Sequence, residues 1–162
     1  MAGTVASHVI GVISDTHGLV RPEAVTALVG SELIVHAGDI GGPDVLTALG
    51  RVAPVVAVRG NNDRGPWAAV LPEREVVEVG GCRLYVLHDL KTLDLDPVAS
   101  NLQAVIAGHS HRPLLETRDG VLFVNPGSAG PRRFTLPIAV ARLEVRRGRL
   151  GARIIELPVG RP

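Results

Sequence analysis

The sequence holds a single cysteine, Cys82, in 162 residues. One thiol excludes an intramolecular disulfide and any thiolate-ligated metal cluster. Its apolar setting, Cys82-Arg83-Leu84-Tyr85-Val86, suits a small core or strand residue. Aromatic side chains are nearly missing: Trp67, Tyr85, Phe123 and Phe134 are the whole set. With 46% of residues apolar, the core must be built from Val, Leu, Ile and Ala, and β-branched side chains favour strands. An excess of one charge is also lacking, since the net charge is +1. A general nucleic-acid or membrane-surface binder carries a basic surplus, so neither class fits. Lys91 is the only lysine, and the preference for arginine reads as compositional bias. No apolar run reaches the length of a bilayer span, and residues 1–7 carry no basic leader; a cytoplasmic location is expected. High hydrophobicity with little net charge excludes global disorder.

What is present is a regular alternation of short apolar runs and turn residues, with no repeat, low-complexity tract or linker. One domain over residues 1–162 is the simplest organisation. The first half predicts strands at 8–14, 32–37 and 54–59 and helices at 22–29 and 43–52, with Pro22 and Pro43 in their first turns. Strand, helix, strand, helix, strand implies parallel pairing with right-handed crossovers. The second half is strand-dominated. Segments 76–79 and 83–87 predict a hairpin across Gly80-Gly81, and 114–118 and 121–124 another across Asp119-Gly120. A short buried strand is expected at 104–107, and a last pair at 138–145 and 152–157 around Arg149-Leu150-Gly151. Alternation through 141–146 marks one wet face, so Arg142, Arg146, Arg147 and Arg149 read as solvated positions.

Polar residues fall at the ends of those runs. Asp15 and His17 follow the first strand, Asp39 the second and Asn61 the third. His88 follows the run to Leu87, and His109 and His111 follow 105–108. Ligands of open α/β sheets bind beyond the carboxyl ends of the strands, so strands lying side by side would bring all seven side chains together. Two carboxylates, one amide oxygen and four imidazoles form an oxygen and nitrogen donor set. It favours Mn, Fe, Co, Ni or Zn over Ca, and Mg less naturally. Seven donors exceed the needs of one ion and suit two that share a carboxylate. Two divalent ions, the two aspartates and one hydroxide leave about +1, attractive to a phosphodiester anion and its transition state.

Each piece alone has a local explanation as well. Asp15-Thr16-His17-Gly18 can be a helix-leading turn, Gly60-Asn61-Asn62-Asp63 favours a turn by composition, and a lone histidine after a strand is often partly buried. His109-Ser110-His111 is the most specific piece, because an extended segment would point both imidazoles the same way. His36, inside the second strand, reads as a core histidine or a brace for the site. Trp67 reads as a packing anchor, with a pocket wall or interface as the alternative.

In order, Asp15-Thr16-His17-Gly18, Gly38-Asp39, Gly60-Asn61-Asn62-Asp63, His88 and Gly108-His109-Ser110-His111 resemble the motif set of the calcineurin-like metallophosphoesterases. The chain is most similar to their small YfcE-like phosphodiesterase branch, whose signature Asn125-Pro126-Gly127-Ser128 also resembles. The resemblance runs from His8 to about Leu157. It implies an α/β fold of four layers, with two mixed β-sheets packed as a sandwich and flanked by helices. It further implies one metal held by Asp15, His17, Asp39 and His111 and another by Asp39, Asn61, His88 and His109, with Asp39 bridging. A hydroxide shared by the ions would attack phosphorus in line with the leaving oxygen. The expected cofactors are two divalent ions per chain, manganese first, with Fe, Ni, Co or Zn as alternatives.

Two departures stand out. Many relatives have a histidine after the metal-binding asparagine, where it binds phosphate or protonates the leaving group. Here it is Asn62, which can donate a hydrogen bond to substrate but no proton, so esters with poorly acidic leaving groups should react slowly. Close relatives have glycine after the strand-end histidine, where this chain has Asp89, either orienting His88 or facing solvent. The loop 90–101 is also short for the family. Arg132 and Arg133, after the Asn125 to Ser128 turn, are candidate substrate-binding residues or surface residues. The expected partner is a small phosphate ester, a diester ahead of a monoester, and self-association into a homo-oligomer stays open. The alternative from a different class is a non-catalytic interaction module, since a eukaryotic endosomal sorting subunit resembles this family but has an altered metal site. The intact ligand positions here weigh against it. A nuclease lacks support, with no basic stripe or aromatic platform.

Overall fold

The structure, a computed structural model, describes residues 6–160. Strand β1 (Ser7–Ile13) is followed by helix α1 (Pro22–Leu28), β2 (Leu33–His36), α2 (Pro43–Gly50) and β3 (Val55–Ala57). A single helical turn, α3 (Pro66–Ala69), leads to β4 (Arg74–Val79) and β5 (Cys82–Leu87). A 3-10 turn at Leu90–Thr92 precedes β6 (Ala104–Ile106), β7 (Leu114–Arg118), β8 (Val121–Asn125), β9 (Ala139–Arg146) and β10 (Arg149–Glu156). Each helix begins on proline, where the missing N–H has no intrahelical partner to lose. The sequence did not signal α3 or the 3-10 turn, which are too short for a periodic pattern.

The strands form two five-stranded sheets, in the orders β10-β9-β1-β2-β3 and β4-β5-β6-β8-β7. In the first, β1, β2 and β3 run parallel and β9 and β10 pair antiparallel beside them. In the second, β5, β6 and β8 are parallel, and hairpin partners β4 and β7 close the edges antiparallel. Both sheets are mixed, as the family resemblance implied. Between them lies a core from the inward faces of both, including Ile10, Val12, Val35, Leu84, Val86, Ile106, Val124 and Leu143. Helices α1 and α2 cover the outer face of the first sheet through Ala24, Leu28, Val45 and Leu49, and Trp67 packs there too. The second sheet's outer face is covered by Leu90, Leu93 and Leu95 against Tyr85, Leu87 and Phe123. Among the described residues no helix is long and apolar enough to cross a membrane.

Turn chemistry explains one misplaced boundary. The last hairpin turns at Arg147-Gly148, with φ of 53° and 71°, and Arg149 already pairs with Arg146. Two positive φ values make a primed turn that matches strand twist, so Arg149-Leu150-Gly151 belongs to β10 rather than to the turn. Asp119-Gly120 and Gly80-Gly81 turn where the sequence predicted, each pair again with positive φ.

Candidate metal centre

The strands whose ends carry the polar residues do not lie side by side in one sheet. Asp15, His17, Asp39 and Asn61 follow β1, β2 and β3 of the first sheet, whereas His88, His109 and His111 follow β5 and β6 of the second. The sandwich brings the two rims together. The resulting ligand atoms form two groups, Asp15 with His17 and His111, and Asp39 with His88 and His109, each within 4.8 Å. Asp39 Oδ2 lies 3.3 Å from His88 Nε2 and 3.9 Å from His17 Nε2, so its carboxylate faces both groups. Asp15 Oδ1 lies 3.3 Å from His111 Nε2 and 3.9 Å from both His17 Nε2 and His88 Nε2. Asn61 is exposed and shares a cavity of about 240 Å³ with His88 and His109.

The local backbone is unusual. Asp15, His17, Asp39, His109 and His111 all have φ between 47° and 70°. Non-glycine residues rarely adopt this left-handed region, and such residues concentrate at functional sites. This corrects one expectation: His109-Ser110-His111 is not extended, and its two rings go to different groups. Close packing of the loops requires glycine beside the ligands. A Cβ at Gly60 would run into the Asp39 carboxylate, and one at Gly108 into Ser14 and Asp15.

Hydrogen bonds lace these loops together. Asp15 N–H donates to Gly38 O, His17 N–H to Asp39 O and Gly18 N–H to Ile40 O, at 2.8 to 3.0 Å. Asp15 Oδ2 accepts from Ser14 Oγ at 2.6 Å and from His109 N–H at 3.0 Å, leaving Oδ1 free. His88 Nδ1 donates to Ala37 O at 2.7 Å, which aims its Nε2 toward Asp39. Asn125 Nδ2 donates to Gly108 O and Ser110 Oγ, and Ser128 Oγ to Asp15 O. The Asn125 to Ser128 signature therefore braces the site loops.

Two residues matter more than the sequence indicated. Asp63 is buried and accepts from the N–H groups of Ile40, Gly41 and Gly60, tying the Asp39 loop to the Asn61 loop. Its place beside Asn61 and Asn62 disguised it as a turn former. His36 is fully buried, and Gly38 N–H donates to its Nδ1. Its Nε2–H then donates to Thr16 Oγ1, whose hydroxyl donates to Ile40 O. It is a core histidine and a brace at once.

Electrostatics fit a cation. Burial raises the Asp39 carboxyl, yet contacts from His88 and Asn62 outweigh it and hold the group well below its usual range. Asp15 behaves alike: burial is outweighed by His111, Ser14 and His88. Burial disfavours charge on His88, but Asp39, Asp15 and the Ala37 carbonyl reverse this and raise its pKa. Burial pushes His36 down to about 4, so it is neutral. Asp15 Oδ1 and His17 Nε2 are buried with no hydrogen-bond partner. Orphaned, inward-facing donors of this kind are costly unless something binds them, and oxygen and imidazole donors suit a divalent transition ion.

Other expected residues fall elsewhere. Asp89 does not orient His88: its carboxylate accepts from Lys91 N–H, capping the 3-10 turn, and Oδ2 lies 3.8 Å from His109 Nε2. Asn62 donates to Asp39 through both backbone and side chain, each at 2.9 Å. Arg132 donates to Leu136 O and Val159 O, and Arg133 is exposed. Neither arginine lines the cavities beside His109.

A family model, the calcineurin-like phosphoesterase superfamily domain, matches residues 9–148. The chain is 37% identical over 158 residues to a probable metallophosphoesterase of Methanothermobacter thermautotrophicus, covering 90% of this chain and 91% of that protein. It is similar in structure to an archaeal phosphodiesterase, with a TM-score of 0.76, 22% identity and coverage of 91% and 99%. It is nearly as similar to vacuolar protein sorting 29 of Cryptosporidium parvum, with a TM-score of 0.75, 17% identity and coverage of 93% and 98%. Likenesses at such identities establish fold alone. Two proteins of different name fit almost equally well, so function must be argued from the site.

Proposed function

The chain belongs to the calcineurin-like phosphoesterase superfamily, and from that premise we propose that it hydrolyses a phosphate ester, a diester in preference, at a dinuclear metal centre. The carrying observation is the Asp39 carboxylate, which faces His88 on one side and His17 on the other. Asp15, His17, Asp39 and His111 would hold one ion, and Asp39, Asn61, His88 and His109 the other. Manganese is the first choice, with Fe, Ni, Co or Zn as alternatives. Divalent ions there would supply Lewis acidity toward phosphoryl oxygens and a nucleophile at neutral pH. Asn62 fixes both oxygens of Asp39, so its role is positioning before phosphate binding. With no titratable group at Asn62, the leaving group receives no proton from that position.

Preference for a diester has its own support. Arg59 and Arg74 line the cavity with Asn61 and His88, but each is paired, Arg59 with Glu73 at 2.9 Å and Arg74 with Asp94 at 3.7 Å. A dianionic monoester gains most from a free cation, which these paired guanidinium groups do not offer. The test is metal-dependent hydrolysis of an aryl phosphodiester and monoester by wild type and Asp39→Asn. Manganese-dependent turnover favouring the diester and lost in Asp39→Asn is expected. Undiminished activity in that variant removes the mechanism, and a steep gain with leaving-group acidity checks the role of position 62.

A further inference from the structure

A second cavity, of about 780 Å³, opens on the other side of His109. Val105, Ala107 and Phe123 form its floor, each no more than 6% exposed, and half-buried Leu90 and Leu114 form its walls. Val105, Ala107 and Phe123 belong to the outer face of the second sheet, where Leu90 and the leucines after it take the place of a covering helix. His109 and Asp89 line this cavity and also the smaller one that holds Asn61 and His88. The two spaces therefore share a wall at the metal centre.

We infer that this cavity is a subsite for one organic group of the substrate, an apolar ring of aryl or nucleobase size. The inference rests on the phosphoesterase reading of the centre. Its volume lies within the span of small-molecule sites, which are mostly apolar with few polar groups. One of them, Asn125, is already committed: its Nδ2 donates to Gly108 O and Ser110 Oγ, and its Oδ1 accepts from Gly127 N–H. A sugar hydroxyl or peptide group reaching the floor would find only Val105, Ala107 and Phe123, and would lose its water hydrogen bonds there. An apolar ring loses nothing and releases the water on that floor. Lys91 and Arg112 also line the cavity, and both are exposed.

The test uses manganese-loaded protein and two phosphonates that carry one organic group each. Phenylphosphonate should bind at least about tenfold more tightly than methylphosphonate, because only the ring reaches the apolar floor. Leu90→Ser combined with Leu114→Ser, and separately Leu114→Trp to fill the space, should bring the ratio near one. Unchanged methylphosphonate affinity in these variants shows that fold and centre are intact. Equal affinities in wild type, or a preference that survives both variants, overturn the subsite. Aryl diester hydrolysis without a ring preference sinks the subsite alone. A variant-sensitive ring preference in a protein that hydrolyses no ester leaves the subsite standing and removes the hydrolase reading.

Discussion

The two groups of candidate ligands draw on the same side-chain chemistry but lie in different surroundings. At the inner one, Asp15 and His111 are 0% and 2% exposed, and Asp15 is pinned by Ser14 and by the backbone of His109. At the outer one, Asp39 and His88 are buried but the His109 ring is 44% exposed. His17, the third member of the inner group, is 24% exposed, so that group is the drier of the two, and a drier ligand set resists ligand loss better than one with a wet member. The inner position should therefore be the durable anchor and the outer one the face that meets substrate. Each has its own brace, His36 behind the inner loop and Asp63 behind the outer.

The sharpest way to break this contrast is to remove one ligand from each side. Asp15→Asn should cost more than about 10³-fold in turnover, with both ions lost by elemental analysis because the anchor is gone. Next comes the inner brace. In metal-free protein the folded His36 titrates at about 4, against 6.5 unfolded. Between those values the unfolded chain binds more protons, so stability falls as pH drops from 6.5 to 4, by about 3 kcal/mol. Urea unfolding of wild type and His36→Gln should show that acid loss only in wild type; parallel curves would free His36 of the role.

On the outer side, His109→Ala should lower turnover by about 10²-fold and leave one ion per chain. If it sheds metal as completely as Asp15→Asn, the two surroundings are not different in effect. Asp63→Ala leaves the buried N–H groups of Ile40 and Gly60 without their acceptor, a loss of about 2 kcal/mol in chemical denaturation. A change within 0.5 kcal/mol, the range of about neutral surface substitutions, would show that the outer loops are held by other means.

Particular residues show where legibility in the sequence ended. The positions of β1, β2 and β3 followed from β-branched runs, and Asp119-Gly120 and Gly80-Gly81 carried their turns in their composition. Arg147-Gly148 did not, because arginine gives no hint that it will adopt positive φ. Asp63 and His36 were visible as residue types, but their importance lies in bonds to N–H and hydroxyl groups contributed by other segments. Asp89 stands next to His88 in the chain, yet its carboxylate caps the following turn and approaches His109 instead.

The amino-acid order alone determined that seven oxygen and nitrogen donors stand at strand ends, because strand periodicity and turn chemistry are local properties. Periodicity could not say that the donors come from two sheets or that an apolar hollow adjoins His109, and the place of Asp39 between both groups was expected only through the family resemblance. Those facts depend on how one sheet packs upon the other. Packing is settled by apolar surface shared between distant segments, and no short stretch of chain contains that information.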